Sequence, residues 1–435
     1  MGFRGVAVRA ARRVAIDFTG AQGVNRCMRT LEFWFDFSCP YAYVASTHVE
    51  ALAERVGARL DVRPMLLGGV FQARGTPQNL SSTLGPAKAR HNLEDMQRQA
   101  REAGVPLVMP AGHPLRTVDA LRCVLAAGEP YMPLAHRFYR AYWAEGRDLG
   151  QREVVAAVVR EAGLNVDEVL VRAGSDEIKA ELRRRTEEAV ARGVFGVPTM
   201  VVGDELYWGA DRLDMVEAAL GGTPRSLRPA PDVALAPVDL YFDFSSPFAY
   251  LALTQAEAVF GSAARWRPLL LGGLFRSIGT ADVPLFTQSP EKQRHTMKDL
   301  QRQARRFGVG FHWPSRFPIN TVVPLRLALA ADLMATREGR ALIVGIARAL
   351  WVEDRDISDP AVLTTLGDAY GFDGAALVAA AGTPEAKQRL RDATAEAEVA
   401  GVFGVPTCVV RRADGEQLFW GVDRIDWAAR AAAGA

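Results

Sequence analysis

Two turns in the sequence place a hydroxyl or a thiol directly before a proline, at a point where a helix is expected to begin. Ser246 precedes Pro247, and Cys39 precedes Pro40. Proline suits the first turn of a helix, and the free amides at a helix N-terminus carry a partial positive charge that stabilises an anion such as a thiolate. The arrangement therefore favours activation of a thiol. The alternative for Ser246 is that its hydroxyl only caps the helix.

Two further motifs occur once in each half of the chain. Gly-Val-Phe-Gly-Val-Pro-Thr stands at residues 193–199 and again at 401–407. Each copy is followed by a Trp-Gly pair and then by an aspartate, Asp211 or Asp423. An aspartate at the start of a helix interacts favourably with the helix dipole and caps its amides. That structural role is the alternative to a part in ligand binding.

The motifs recur because the chain carries one long sequence pattern twice. FWFDFSCPYAYVA at residues 33–45 returns at 240–252 as LYFDFSSPFAYLA, and LLGGVF at 66–71 returns at 270–275 as LLGGLF. The order of the motifs is kept, and the period is much longer than that of a solenoid repeat. This pattern indicates duplication of a whole domain.

The two copies are separated by a segment with the composition of a linker. Residues 221–237 contain four prolines together with glycines and small residues, which favours a semi-extended chain. A length of 435 residues also exceeds the usual size of one domain. We therefore predict domains at 30–220 and 238–433, preceded by an N-terminal extension at 1–29.

The elements around the motifs follow the same order in both copies. Alternation of aromatic with other residues from Leu31 onward indicates a strand, and a helix follows the proline. A second short strand ends near Met65 or Leu269, and a long, mainly helical stretch follows that includes residues 86–104 and 290–308. Each copy closes with two short strands and a helix that begins at the motif aspartate. The prediction is an α/β fold of two tandem thioredoxin-like domains, each with a large all-helical insertion.

Composition excludes several classes of function. The formal net charge is only +2 and the basic residues are spread along the chain, which argues against a nucleic-acid partner. No apolar run reaches the roughly 18 residues that span a bilayer, so no membrane association is expected. The four cysteines form no CxxC pair and no metal-ligand spacing, so we expect neither a redox dithiol nor a metal site. A reducing cytoplasm is the natural setting.

The segment DFSSPFAYLA at residues 243–252 resembles the opening of the 2-hydroxychromene-2-carboxylate isomerases and of their relatives, the kappa-class glutathione transferases. Both belong to the DsbA-like group of thioredoxin folds. In those enzymes the serine before the proline activates the glutathione thiol, so the resemblance implies glutathione as cofactor and a catalytic role for Ser246. Cys39 holds that position in the first domain and departs from the family pattern, and Ala42 stands where a second cysteine would be. The first site could bind glutathione, form a mixed disulfide, act as a monothiol or be degenerate.

The resemblance also implies how the rest of glutathione is held. A cis proline would expose main-chain groups to its cysteinyl part, the Trp-Gly-X-Asp-Arg stretch would take its γ-glutamyl end, and a lysine seven residues before an aspartate would pair with its glycine carboxylate. That lysine could equally be solvated surface. The implied binding residues are Val197, Pro198, Trp208, Ala210, Asp211, Arg212 and Lys88 in the first copy, and Val405, Pro406, Trp420, Val422, Asp423, Arg424 and Lys292 in the second.

A segment of the second copy is similar to the part of the family that lines the substrate cleft. It is Phe-Pro-Ile-Asn-Thr at residues 317–321, from which Asn320, Phe317 and Trp313 are implied to contact a flat aromatic substrate. In the first copy Arg116 replaces the asparagine. The aromatic residues could instead belong to the core, which is the more common position of aromatic side chains.

The activity that the resemblance implies is isomerisation of a hydroxychromene carboxylate, or a related unsaturated aromatic keto acid, by reversible addition of the glutathione thiolate. No metal, flavin or nicotinamide is required. The alternatives are a kappa-like transferase or peroxidase, a monothiol oxidoreductase that uses Cys39, and a duplicated scaffold whose sites have decayed. Because single-domain members of the family pair as dimers, the two copies could form a pseudo-dimer within one chain or assemble as a homo-oligomer.

Overall fold

A computed structural model describes residues 29–223, 233–281 and 283–434. The predicted N-terminal extension lies outside the described residues up to position 28, and so does the centre of the predicted linker at 224–232. The described chain forms two four-stranded mixed sheets, one in each half, and helices surround both. This is the predicted architecture of two tandem thioredoxin-like domains.

The first domain has the predicted order of strand, helix and strand, then a helical insertion, then two strands and a helix. Its strands are β1 (Thr30–Phe35), β2 (Arg59–Pro64), β3 (Thr199–Val202) and β4 (Glu205–Trp208). Its helices are α1 (Pro40–Arg55), α2 (Leu67–Ala73), α3 (Pro86–Glu102), α4 (Val118–Ala127), α5 (Met132–Trp143), α6 (Arg152–Glu161), α7 (Val166–Ala173), α8 (Asp176–Ala191) and α9 (Leu213–Ala219).

The second domain repeats this order. Its strands are β5 (Val238–Phe242), β6 (Ala264–Pro268), β7 (Thr407–Arg412) and β8 (Gly415–Trp420). Its helices are α10 (Pro247–Phe260), α11 (Leu271–Ser277), α12 (Pro290–Arg306), α13 (Val322–Ala330), α14 (Arg337–Trp351), α15 (Pro360–Ala369), α16 (Gly374–Ala381), α17 (Pro384–Val399) and α18 (Ile425–Ala433). Across the described ranges, no helix is both long and apolar enough to cross a membrane.

The sheets have the strand orders β2-β1-β3-β4 and β6-β5-β7-β8. The central strands β1 and β5 each pair in parallel with one neighbour and antiparallel with the other. The alternating sequence pattern predicted the strand β1, in which Trp34 is as completely buried as Phe33 and Phe35. Side chains from both faces of this central strand therefore enter the core.

The helical insertion is attached to the end of the central strand by a buried indole in each domain. Trp351 in α14 donates from Nε1 to the carbonyl oxygen of Phe244, and Trp143 in α5 donates to Phe37, both at 2.8 Å. Both tryptophans are fully buried. The insertion therefore fixes the turn that precedes helix α1 or α10, where the candidate thiol chemistry is located.

The last helix of each domain starts slightly later than predicted. The motif aspartates lie in short 3-10 turns, Ala210–Arg212 and Val422–Arg424, and helices α9 and α18 begin only after them. The glycines before these turns, Gly209 and Gly421, have φ angles of 111° and 105°. That positive φ, which favours glycine, redirects the chain from the strand into a tight turn before the α-helix can start.

Candidate functional site

Each domain places its serine or cysteine at the N-terminus of the helix that follows the central strand. Ser246 is the N-cap of α10, because its Oγ accepts from the Ala249 amide at 3.2 Å. The same hydroxyl donates to the carbonyl oxygen of Val405 at 3.2 Å. Cys39 occupies the equivalent position before α1, and its thiol donates to the carbonyl oxygen of Val197 at 3.0 Å. Ser246 therefore caps its helix and also reaches the proline loop.

The thiol of Cys39 is held in its neutral form. Burial raises its pKa to about 12, although hydrogen bonds from the amides of Ala42 and Tyr41 oppose the increase. The nearby Asp36 carboxylate raises the pKa further. Because only the thiolate is strongly nucleophilic, a cysteine with this pKa reacts slowly near pH 7.

The two predicted proline loops have the same geometry. The Val197-Pro198 and Val405-Pro406 peptide bonds are both cis, as the resemblance implied. The threonine that follows each proline closes the loop, since its hydroxyl donates to the carbonyl oxygen three residues earlier at 2.7 Å. These loops place the carbonyl oxygens of Val197 and Val405 beside the Cys39 thiol and the Ser246 hydroxyl.

The glycine before each loop leaves room for the motif tryptophan. A Cβ on Gly196 would lie 2.7 Å from Nε1 of Trp208, and one on Gly404 would lie 2.9 Å from Nε1 of Trp420. Both separations are shorter than a van der Waals contact. Any larger residue there would displace the indole, so the glycine and the tryptophan of the repeated motif act together.

A fully buried aspartate lies beneath the serine turn. Asp243 accepts from the Ser245 amide at 2.9 Å, from the Leu271 amide at 2.7 Å and from the hydroxyl of Thr321 at 2.7 Å. In the first domain Asp36 has the same three kinds of donor. Burial raises the pKa of both carboxyl groups. Asp243 thereby joins the turn of Ser246, the start of α11 and the predicted substrate segment.

Each candidate site receives its lysine from the other domain. Helix α3 of the first domain packs against β8 of the second, and α12 packs against β4. As a result Lys88 Nζ lies 5.0 Å from the ring centroid of Trp420, and Lys292 Nζ lies 5.1 Å from that of Trp208. Burial lowers the pKa of both amines. Neither lysine forms a salt bridge within the part of the chain that the structure describes.

The motif arginines form ion pairs across the domain boundary. Arg212 binds Asp299 of α12 through Nε and Nη2 at 2.8 and 3.0 Å. Arg424 binds Asp95 of α3 in the same way, at 2.7 and 2.9 Å. Both guanidinium groups therefore hold the two domains together. Their remaining nitrogens face the motif aspartates.

The motif aspartates lie between these two arginines. Asp211 is 3.0 Å from Nη1 of Arg212 and 2.8 Å from Nη1 of Arg424. Asp423 is 2.9 Å from Arg212 and 3.6 Å from Arg424. Burial alone would raise the pKa of Asp211, but the guanidiniums outweigh it and lower the pKa, whereas burial dominates at Asp423 and raises its pKa. We call these six residues the interdomain charge cluster: Asp95, Asp211, Arg212, Asp299, Asp423 and Arg424.

Two histidines also lie at the contact between the domains. His91 of α3 accepts at Nε2 from the Trp420 amide at 3.2 Å. His295 of α12 packs in the matching place against Phe195 and Trp208. Burial lowers the pKa of each imidazole to about 4. Both are therefore neutral near pH 7 and add no positive charge to the cluster.

The aromatic residues of the second insertion form one connected group at the surface. The Trp313 and Phe317 ring centroids are 4.6 Å apart, and Phe286 lies edge-on to Phe317 at 6.0 Å. Phe286 is 57% exposed, which leaves one side of the group open to solvent. Asn320 is exposed, and its side-chain oxygen accepts from the Val322 amide. Of the predicted substrate residues, Trp313 and Phe317 are thus in contact, and both also pack against the core.

The sequence reasoning missed several residues of this site. The sequence identified Asp95 and Asp299 only as the aspartates seven residues after the lysines, and the structure makes them the partners of the motif arginines. The histidines and the buried aspartates were not singled out. Their recurrence at matching positions in both copies was the signal that could have identified them. The placement of each α3 or α12 residue in the opposite domain's site had no signal in the sequence.

Comparison with known proteins identifies one family for both halves of the chain, and relatives that match less than half of it. A family model described as a DSBA-like thioredoxin domain matches residues 30–221 and again 237–433. A 2-hydroxychromene-2-carboxylate isomerase from Pseudomonas putida is 31% identical over 193 residues, which are 44% of this chain and 94% of the relative. The isomerase of the same name from Sphingobium xenophagum is 28% identical over 192 residues, 44% of this chain and 98% of the relative.

A transferase is also similar. Glutathione S-transferase kappa 2 from Caenorhabditis elegans is 28% identical over 208 residues, which cover 43% of this chain and 90% of the relative. Each of these relatives is matched over nearly its whole length by less than half of this chain. Each relative therefore corresponds in extent to one of the two domains.

Proposed function

Because the chain belongs to the DsbA-like thioredoxin family, with two domains of that kind, we propose that it is a glutathione-dependent isomerase of the 2-hydroxychromene-2-carboxylate isomerase type. The observation that carries the proposal is the position of the Ser246 hydroxyl. It lies at the N-terminus of α10 and within hydrogen-bonding distance of the carbonyl oxygen before cis-Pro406. The working site is then in the second domain.

The residues around Ser246 fit the chemical groups of glutathione. The helix N-terminus and the hydroxyl suit a thiolate. The Lys88 amine lies over the Trp420 ring without a salt bridge in the described ranges, and it suits a carboxylate. Asp423 suits an ammonium group, because the interdomain charge cluster holds more carboxylates than guanidiniums. The residues that would hold the tripeptide are therefore Ser246, Val405, Asp423 and, from the first domain, Lys88.

Each of these residues has a separate task in the proposed reaction. Bound glutathione supplies the thiolate that adds reversibly to a conjugated carbon of an unsaturated aromatic keto acid. Ser246 holds that thiolate by a hydrogen bond, and the α10 N-terminus lowers its pKa. Trp313 and Phe317 offer a wall to the aromatic ring. The amide nitrogen of Asn320 is a donor for negative charge that develops on the substrate's oxygen.

We propose that the first domain supports the second and does not turn over substrate itself. The neutral Cys39 thiol is a weaker hydrogen-bond donor than the serine hydroxyl that it replaces. Its pKa of about 12 also makes it a poor nucleophile. The first domain nevertheless contributes Lys88 and His91 to the second site. In this proposal the chain is an internal pseudo-dimer, and one chain holds a complete site.

Glutathione binding and thiolate formation test the proposal directly. Calorimetry with wild type, Ser246→Ala and Cys39→Ala should show binding to all three, with a thiolate absorbance near neutral pH that only Ser246→Ala lacks. Interconversion of a hydroxychromene carboxylate should depend on added glutathione and on Ser246. If the wild type does not bind glutathione, or if Cys39→Ala rather than Ser246→Ala abolishes the thiolate, the proposal is wrong.

The similarity to a kappa-class transferase supports a second candidate, which is conjugation of glutathione to an electrophile. The two reactions differ in their balance of thiol. An isomerase returns glutathione after every turnover, whereas a transferase consumes one molecule for each product. Titration of free thiol during turnover of the hydroxychromene carboxylate therefore separates them, and constant thiol with product formation favours the isomerase.

A further inference from the structure

The interdomain charge cluster contains more negative charge than its arginines can neutralise. Its four carboxylates, from Asp95, Asp211, Asp299 and Asp423, face two guanidinium groups. The neighbouring histidines are neutral near pH 7. With all four carboxylates ionised the cluster carries a net charge of −2. Two further cationic groups, one in each site, would therefore neutralise the cluster.

Neither arginine is free to move toward a ligand in either site, because each guanidinium is held by two hydrogen bonds to a carboxylate of the other domain. Arg212 is bidentate to Asp299, and only its Nη1 is left to serve both Asp211 and Asp423, at 3.0 and 2.9 Å. Its side chain is 11% exposed, so little solvent is available to replace a lost partner. A bidentate guanidinium–carboxylate pair is among the strongest and most directional contacts in proteins.

Arg424 is fixed in the same way from the other domain. It is bidentate to Asp95, and its Nη1 lies 2.8 Å from Asp211 and 3.6 Å from Asp423. Asp211 and Asp423 belong to different domains, yet both lie within 3.6 Å of the same two guanidinium nitrogens. They share two immobile guanidinium nitrogens.

We propose that Arg212 and Arg424 are positioning residues for both site aspartates and couple the two sites, so that an ammonium group bound at one aspartate weakens binding of a second at the other. The proposal rests on the proposed function, which supplies the γ-glutamyl ammonium as the cationic group. The first ammonium reduces the net charge of the cluster from −2 to −1. The second then meets a weaker attraction and a fixed like charge nearby, and the direction of the effect follows from Coulomb's law.

The two sites differ at Cys39 and Ser246, so unequal affinities alone would not demonstrate coupling. The test therefore compares products of binding constants. Gly196→Val should close the first site by displacing Trp208, and Gly404→Val should close the second by displacing Trp420. Calorimetry with each variant then gives the association constant of one site while the other is empty. Without coupling, their product equals the product of the two constants of the wild type.

With coupling by the ammonium group, the product of the two wild-type association constants should be smaller than the product of the two single-site constants by about fivefold or more. An analogue with a butyryl group in place of the γ-glutamyl residue carries neither the ammonium nor its neighbouring carboxylate, and its two products should agree. Equal products with glutathione, or an equal deficit with the analogue, would overturn the coupling alone. Absence of any glutathione binding to the wild type would overturn the proposed function and the coupling with it.

A second pair of variants protects the experiment against failure of the valine variants to fold. Lys292→Ala removes the lysine of the first site and Lys88→Ala that of the second, and neither residue forms a salt bridge in the described ranges. Each variant is expected to weaken one site and leaves all six residues of the interdomain charge cluster in place. At ligand concentrations that fill only the intact site, each lysine variant gives the association constant of that site. The product of these two constants is then compared with the product of the two wild-type constants.

Discussion

The hydroxyl of Ser246 and the thiol of Cys39 occupy the same place in two copies of one domain. Each donates to the carbonyl oxygen before a cis proline, at 3.2 and 3.0 Å. They differ in what they offer to a bound thiolate, because a hydroxyl is a strong hydrogen-bond donor and a thiol is a weak one. The difference between an active and a supporting domain is therefore proposed to lie mainly in one side-chain atom.

An exchange of these two residues tests that difference. Cys39→Ser should give the first domain the donor that it lacks and raise the number of glutathione thiolates from one to two per chain, measured by ultraviolet absorbance at saturating ligand. Ser246→Cys is the matched control and should reduce the number from one to none. If the number of thiolates per chain is the same in both variants as in the wild type, then the helix N-termini, and not these side chains, determine the ionisation of glutathione.

The buried aspartate beneath the serine turn gives a second prediction at this scale. Asp243→Asn should lower the free energy of unfolding by about 1.5–3 kcal/mol, because an amide nitrogen would then face one of three donors that now share a carboxylate. Urea denaturation measures the change. Asp36→Asn should cost a similar amount. Asp204→Asn, on a fully exposed side chain, should change stability by less than about 0.5 kcal/mol.

At the scale of elements, the crossing of α3 and α12 determines which residues meet. The sequence predicted both helices, the strand order around the insertion and both cis prolines from local pattern and resemblance. It could not predict that Lys88 lies over Trp420 and Lys292 over Trp208, because local periodicity carries no information about which domain a helix face will contact. The role of Asp95 likewise depends on Arg424 of the other domain, which no local pattern places beside it.

The crossing makes a prediction that distinguishes it from an arrangement within each domain. Lys88→Ala should weaken the Ser246-dependent binding of glutathione about 10- to 100-fold, as expected for loss of a hydrogen bond to a charged group. Lys292→Ala should leave that binding essentially unchanged although it lies in the same domain as Ser246. Calorimetry with thiolate absorbance as the readout checks both. The reverse pattern would mean that each domain supplies its own lysine.

At the scale of the whole molecule, the two domains are joined by charge and by neutral imidazoles. The two bidentate arginine pairs hold the boundary. The sequence indicated two domains and a linker, but the boundary between them includes residues of α3, α12, β4, β8 and the two 3-10 turns. Its composition could not be read from either copy alone. Because His91 and His295 are buried there without charge, the boundary should respond to acid.

The sign of that response follows from the histidine pKa values. Burial lowers the pKa of each imidazole to about 4, whereas an unfolded histidine has a pKa near 6.5. Between these values the unfolded chain binds more protons, so stability is complete above about pH 6.5 and falls as the pH decreases toward 4. Urea denaturation across this range should show a loss of the order of a few kcal/mol for the wild type.

The double variant His91→Gln and His295→Gln should lose most of this slope. Glutamine keeps an acceptor for the Trp420 amide, which His91 now binds at 3.2 Å, but it does not titrate. His113, whose pKa burial also lowers, lies inside the first domain and remains in both proteins as an internal reference. If wild type and double variant lose stability in parallel from pH 6.5 to 4, the acid sensitivity belongs to groups within the domains and not to the boundary between them.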